Sequence, residues 1–326
     1  ILARHFWPDG SQLDLSCDRQ TSAEAIREFA GSPSAQEFLR FASEAEVLFD
    51  LFDAPMMQSA DPSVPDLARA ALSAPRHLAA LSPLATLERK LAQNFSDPRL
   101  RQLFGRYATY VGGMPHKAPA LLSLIWRAEE AGVWRVSGGM HQLAEAMAKR
   151  FCDLGGTLRL GCPVRAIDVT GDKVAGVTFA SGEVIAADSV VFNGDPRALA
   201  TGCLGPKVAS IAKITTKAPR SLSARVWSFA ATAQGADLTH HNVFFAADPR
   251  SEFTDLQNGR TPRDPSLYVC AMDRGSTMPT PSGPERFEII LNAAPKPSKT
   301  VDPKELDTCH QRTFPTLARG PLVIIT

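Results

Sequence analysis

Through residues 32–132 the apolar side chains recur at helical spacing, and from Val133 that rhythm gives way to short strand-like runs. A chain with this switch must bury helical stripes and sheet faces in separate layers, which restricts it to α/β or α+β architectures. With 326 residues, 44% of them hydrophobic, it is long enough for two compact domains with sizeable cores.

In the helical stretch Pro33 follows Ser32 at a first helical position, and Phe38, Phe41, Ala45, Leu48 and Phe52 mark one inward face. Residues 54–65 interrupt the pattern with Pro55, Pro62 and Pro65 and expose Met56 and Met57. Asp97-Pro98 opens a helix predicted to bury Leu100, Leu103, Phe104, Tyr107 and Val111 before Gly112-Gly113 ends it, and residues 118–131 form a further helix closed by Gly132. Upstream, residues 3–15 read as a hairpin around Pro8-Asp9-Gly10, and Thr21-x-x-Glu24 as a capping box that starts a short helix.

Downstream, a strand at 133–136 leads through Ser137-Gly138-Gly139 into a helix over 140–154, with Leu143, Met147 and Phe151 on one side. Short strands are expected at 157–160, 164–169, 173–179, 183–185 and 189–193, the middle pair joined by Thr170-Gly171-Asp172. This layout predicts α/β structure with a parallel core. Runs at 222–231, 242–246, 266–271 and 286–292 predict one antiparallel sheet, open to a strand at 4–7.

Lys+Arg 35 against Asp+Glu 34 argues against nucleic acid as a partner. The cysteines are scattered with no C-x-x-C, which suggests buried thiols in a reducing cytoplasm and neither a disulfide framework nor a zinc site. No run approaches the ~18 apolar residues of a transmembrane helix, and no signal peptide is expected. The opening Ile1-Leu2-Ala3-Arg4 lacks an initiator Met, and the chain stops in a strand-like run at 321–326, so both ends read as cuts through a domain.

Direct chemical motifs are few. The chain contains no G-x-G-x-x-G, Walker loop, H-E-x-x-H or G-x-S-x-G. His240-His241 invites a metal reading, but neighbours on a strand point to opposite faces, so a loop or strand edge with no metal is expected. Gly138-Gly139 before a helix either binds an anion through free backbone N–H groups or serves only as a tight strand-to-helix turn. Composition and spacing stop at a two-domain α/β protein.

Several ordered blocks go further. Phe104-Gly105-Arg106-Tyr107-Ala108-Thr109-Tyr110-Val111-Gly112-Gly113-Met114-Pro115, Gly132-Val133-Trp134-Arg135-Val136-Ser137-Gly138-Gly139-Met140 and Leu154-Gly155-Gly156-Thr157 resemble, in order and spacing, segments of the phytoene desaturase family of FAD-dependent carotenoid desaturases. Val164-Arg165-Ala166-Ile167, Gly171-Asp172-Lys173-Val174, Phe192-Asn193-Gly194-Asp195-Pro196 and Leu238-Thr239-His240-His241-Asn242-Val243-Phe244-Phe245 continue the likeness over nearly the whole chain. The runs 2–11, 106–110, 193–196 and 283–290 are most similar to the branch acting on acyclic carotenoids with a 1-hydroxy or 1-methoxy end.

That resemblance implies a partial Rossmann-like FAD domain, an antiparallel-sheet substrate domain and a helical membrane-contact region. Residues 1–18 would be a hairpin of the substrate domain, 19–132 the helical substrate and membrane-contact region and 133–200 the second FAD segment. Residues 201–308 would be the substrate-domain sheet and 309–326 a truncated end. The likeness fades after residue 315, and residues 320–326 match nothing expected there, so an artificial or frameshifted end is expected. The implied chemistry is removal of two hydrogens from a polyene's allylic CH2–CH2, a C3–C4 dehydrogenation, with FAD as hydride acceptor and a quinone or oxygen as terminal acceptor.

The resemblance places Val164, Gly138, Gly139, Met140, Asn193 and Asp195 at the cofactor, Val164 doubling as a plain core valine. Asp66 and Arg69 fit an Asp-x-x-Arg pair near the substrate channel, or a surface salt bridge at i,i+3. Tyr107, Tyr110 and His240 are the polar-tipped candidates for a hydroxylated substrate end, or satisfied core residues. The absent G-x-G-x-x-G implies that the pyrophosphate cradle lies outside these residues and that the fragment is inactive alone. A peripheral, cytoplasmic membrane association is the implied location. The other readings are a general phytoene desaturase, a flavin amine oxidase relative acting on a polar amine, and a non-catalytic carotenoid- or lipid-binding remnant.

Overall fold

A computed structural model describes residues 1–73, 85–275, 281–295, 303–319 and 322–325. Residues 74–84 of the expected helical region, and Gly320, Pro321 and Thr326 at the end, lie outside the described residues. The chain divides into two compact units, one built from Ile1–Trp134 with Ser221–Thr326, the other from Arg135–Arg220.

The larger unit is organised on a seven-stranded sheet of β1 (Ala3–Phe6), β2 (Gln12–Leu15), β6 (Ser223–Gly235), β7 (His241–Phe244), β8 (Leu267–Ala271), β9 (Glu285–Ala293) and β10 (Leu322–Ile325), in the order β10-β6-β9-β8-β7-β1-β2. β1 and β2 form the predicted hairpin. β1 joins the sheet parallel to β7, with Arg4 beside Asn242, whereas a wholly antiparallel sheet was expected. The far separation of these strands in sequence leaves the direction of pairing to the connection, not to a tight turn.

Alternation along each strand sorts side chains to two faces. In β9, Phe287, Ile289 and Leu291 turn to one face and pack with Val269, Cys309 and Leu317, the last two from the helix Pro303–Arg319. On the other face Val243 joins Phe245, Trp7, Leu13 and Leu15 in the core shared with the helices. Chief among these are α1 (Arg19–Ala30) and α2 (Ser32–Phe52). The predicted α2 face, Phe38, Phe41, Ala45, Leu48 and Phe52, is buried throughout. Phe41 meets Phe104 at 4.7 Å and Phe38 meets Trp126 at 5.1 Å. Each buried ring of this kind contributes about 1.5–3 kcal/mol.

Two local expectations shift. Helix α1 is capped by Asp18, which accepts from the Thr21 N–H, so the cap lies three residues before Thr21. The helix Pro98–Gly105 buries Leu100, Leu103 and Phe104, and Tyr107 follows in a tighter 3-10 turn, but Val111 at its end is exposed. The change from 3.6 to three residues per turn rotates Val111 off the buried stripe.

The smaller unit holds the helix Met140–Asp153 and an antiparallel sheet of β3 (Val164–Thr170), β4 (Lys173–Phe179) and β5 (Val184–Ala186), in the order β3-β4-β5. Gly176 (φ 154°) is required where β4 meets β5, because a Cβ there would lie 2.1 Å from the Ile185 carbonyl oxygen. The strands expected at 133–136, 157–160 and 189–193 carry no ladder, and among the described residues there is no parallel core in this unit. A run with strand propensity becomes a strand only where a partner satisfies its backbone groups. The architecture is therefore α+β with a mixed sheet rather than α/β. Leu143, Met147 and Phe151 do share a side of their helix, but they are 42%, 66% and 50% exposed. No layer within the unit covers that stripe. Among the described residues no helix is long and apolar enough to cross a membrane.

Candidate functional site

The larger unit holds a half-open cavity of about 880 Å³ between the sheet and its helices. That volume is toward the upper end of ligand pockets, roughly 300–1,000 Å³. Val243, Phe245 and Tyr268 form part of a sheet floor, Leu91 and Leu103 a helical wall, and Phe253 an end. The sheet supplies this floor because residues two apart on a strand share a face.

A few polar groups interrupt the apolar lining. The hydroxyls of Tyr107 and Tyr110 both donate to Glu129, at 2.8 and 2.5 Å. Burial raises the Tyr107 pKa well above its ordinary range and that of Tyr110 to about 12, so both remain proton donors at neutral pH. Both tyrosines and Glu129 line the cavity. His5 is buried on the floor, and its Nδ1 lies 3.1 Å from the Leu13 carbonyl. A carbonyl only accepts, so Nδ1 carries the proton. Burial, assisted by the Arg106 charge, lowers the His5 pKa to about 3 and keeps the ring neutral.

Glu252 is 3% exposed on the helix Pro249–Gln257, and Ser266 Oγ donates to its Oε2 at 2.7 Å. Desolvation raises its pKa to about 7. Among the described residues, His5 Nε2, Arg106 Nε and Glu252 Oε1 are buried without a hydrogen-bond partner, and all three residues line the cavity. Such groups are costly unless a ligand or water pairs with them.

Asp66 and Arg69 lie elsewhere. They form an exposed i,i+3 ion pair of 2.6 Å on the helix Val64–Ser73, and neither lines the cavity. Ser63 Oγ also bonds Asp66 and, with Arg69, lowers the carboxyl's pKa. His240 does not line the cavity, whereas His241 does. The expectation that these two histidines diverge is overturned. His240 precedes the first residue of β7, so strand alternation does not apply, and the two rings meet at 4.5 Å in a T-shape.

In the smaller unit Gly138 (φ 80°) and Gly139 (φ 94°) precede the helix Met140–Asp153, which has no side-chain cap. Left-handed glycines let the backbone turn without a Cβ, and the uncapped first turn offers N–H groups. A Cβ on Gly139 would meet nothing within 4 Å. Met140, Val164 and Asn193 are exposed. Asp195 caps the helix Pro196–Ala200 through the Arg197 N–H and pairs with Arg220 at 2.8 Å. No described hydrogen bond or ion pair joins these positions to one another.

The chain matches, over residues 5–254, the family described as "Flavin containing amine oxidoreductase". It belongs to that family. Among curated relatives of this family member, a hydroxyneurosporene desaturase of Cereibacter sphaeroides is 51% identical over 97% of the chain and 63% of the relative. One of the same name from Rhodobacter capsulatus is 46% identical over 97% of the chain and 64% of the relative. The chain thus spans under two thirds of their length. A crystal structure of an oxidoreductase from Methanosarcina mazei superposes with a TM-score of 0.52 at 17% identity, covering 84% of this chain and 61% of that one. This likeness concerns the fold alone.

Sequence reasoning singled out neither His5, Glu129 nor Glu252. Each belongs to an ordinary amphipathic pattern, and no local motif distinguishes a buried glutamate from a solvated one.

Proposed function

We propose that this flavin-family chain is part of an FAD-dependent desaturase that removes two hydrogens from an acyclic carotenoid, at C3–C4 of a 1-hydroxy- or 1-methoxy-neurosporene type. The observation that carries this reading is the large, mostly apolar cavity with a few buried, unpaired polar atoms. It occurs in a chain 51% identical to a hydroxyneurosporene desaturase. Apolar walls suit a polyene and exclude water, while the polar atoms suit one oxygen-bearing end. A buried group left unpaired by an analogue lacking that oxygen costs about 1–3 kcal/mol, which supports discrimination against a bare isoprenoid end.

FAD, when bound, supplies the hydride acceptor. The uncapped helix after Gly138 and Gly139 fits an anionic group through its first-turn N–H groups, with Met140 beside it. In this reading the Val164 backbone meets the adenine, and Asn193 and Asp195 lie near the cofactor. The exposed stripe of Leu143, Met147 and Phe151 supports assignment of Arg135–Arg220 to a flavin domain whose further layers lie beyond these residues, as the greater length of the relatives allows. Tyr107 and Tyr110, held by Glu129, present polar tips to the substrate. Asp66 and Arg69 enter as a helix ion pair remote from the cavity lining.

Peripheral membrane contact is part of the same reading, since a carotenoid is supplied from lipid. Met57, Val64 and Leu72, at 64%, 78% and 72% exposure, offer an apolar surface around the helix Val64–Ser73. The test of substrate choice gives the full-length enzyme 1-hydroxyneurosporene and phytoene in parallel and separates products by absorbance. Desaturation of 1-hydroxyneurosporene is expected. A preference for phytoene would overturn the substrate assignment.

A further inference from the structure

We propose that His240, His241 and Cys270 bind a divalent cation of zinc's class. His241 opens β7 and stands directly across the ladder from Cys270 on β8, while His240 approaches from the preceding turn. One donor atom from each residue lies within 4.8 Å of the others. His240 Nε2 is 3.7 Å from Cys270 Sγ. Two donors on one tetrahedral zinc, at the usual Zn–N and Zn–S lengths, stand about 3.5 Å apart.

The surroundings orient these donors. His240 Nδ1 lies 3.0 Å from the Arg274 carbonyl, which can only accept, so Nδ1 carries the proton and Nε2 presents its lone pair toward Cys270. A ligating histidine held through its other nitrogen by a backbone carbonyl is the common arrangement at metal centres. His241 Nδ1 lies 2.6 Å from the Tyr268 hydroxyl, which holds the ring in place and, able to donate or accept, leaves its tautomer open. Two imidazoles and a thiolate form a borderline-to-soft set that favours zinc over magnesium or calcium. The nearby Asp273 carboxylate is engaged by Arg286, which leaves the nitrogen and sulfur donors to define the site. Three protein donors are one short of zinc's usual four, and water completes the set. Binding displaces the Cys270 thiol proton, so affinity rises with pH.

Sequence spacing hides this arrangement, because Cys270 lies a strand and a helix away from the histidine pair. The test uses the full chain, stripped with chelator, loaded with Zn2+ or Co2+ and desalted. Retention of about one Zn2+ per chain, with a thiolate-to-metal charge-transfer band in the Co2+ form, is expected. Cys270→Ser should abolish the band, and His240→Gln and Tyr268→Phe should weaken binding by at least about tenfold. Cys203→Ser, which alters an exposed thiol of the Arg135–Arg220 unit, should leave band and stoichiometry unchanged. Circular dichroism establishes that each variant is folded, and His240→Gln decides the question if Cys270→Ser is not. No retained metal, a band that survives loss of Cys270, or undiminished affinity in His240→Gln overturns the proposal.

Discussion

Replacing Glu252 by Gln should change how the protein's stability depends on pH. Burial raises the Glu252 pKa from 4.5 to about 7. In the unfolded chain the carboxyl loses its proton near pH 4.5, whereas the folded protein holds it to about pH 7. Between these values the folded state binds more protons, so the stability of the wild type falls as pH rises. The contribution is present below the unfolded pKa and lost as pH rises through the folded one. At about 1.4 kcal/mol per pH unit, the loss between pH 5 and pH 8 is about 2–3 kcal/mol.

Glutamine cannot ionise, and its amide oxygen can still accept from Ser266, which now donates to Oε2 at 2.7 Å. Glu252→Gln should therefore gain about 2–3 kcal/mol relative to wild type on moving from pH 5 to pH 8. Urea unfolding of both proteins at the two pH values measures this difference. An equal stability gap at pH 5 and pH 8 would refute the argument that Glu252 is held protonated by burial.

Two further outcomes follow from the exposed surface. Asp66→Asn in the full-length enzyme should leave turnover and flavin content unchanged, since Asp66 and Arg69 form an exposed pair away from the cavity; a fall in turnover at constant flavin would return the pair to the substrate channel. Substituting Met57, Val64 and Leu72 together by Ser should lower co-sedimentation of the full-length enzyme with liposomes, and undiminished binding would remove this patch from the membrane-contact face.

What the sequence determined by itself was local. The hairpin at Pro8-Asp9-Gly10, the start of α2 at Pro33 and its buried face from Phe38 to Phe52 depend on residues within one or two turns of each other. The β3–β4 meander around Gly171 was legible for the same reason. The family likeness extended this to a flavin protein; of the three polar-tipped candidates, Tyr107 and Tyr110 line the cavity and His240 does not.

Only the tertiary structure decided which distant segments meet. The parallel union of β1 with β7 and the absence of ladders at 133–136, 157–160 and 189–193 depend on partners far along the chain. The environment of Glu252 is decided by Ser266 on a different segment, and the meeting of His240, His241 and Cys270 by the β7–β8 register. Periodicity reports which side of an element is apolar. Whether that side is covered, and which polar group is stripped of water with it, depends on packing between elements, and no local pattern encodes that.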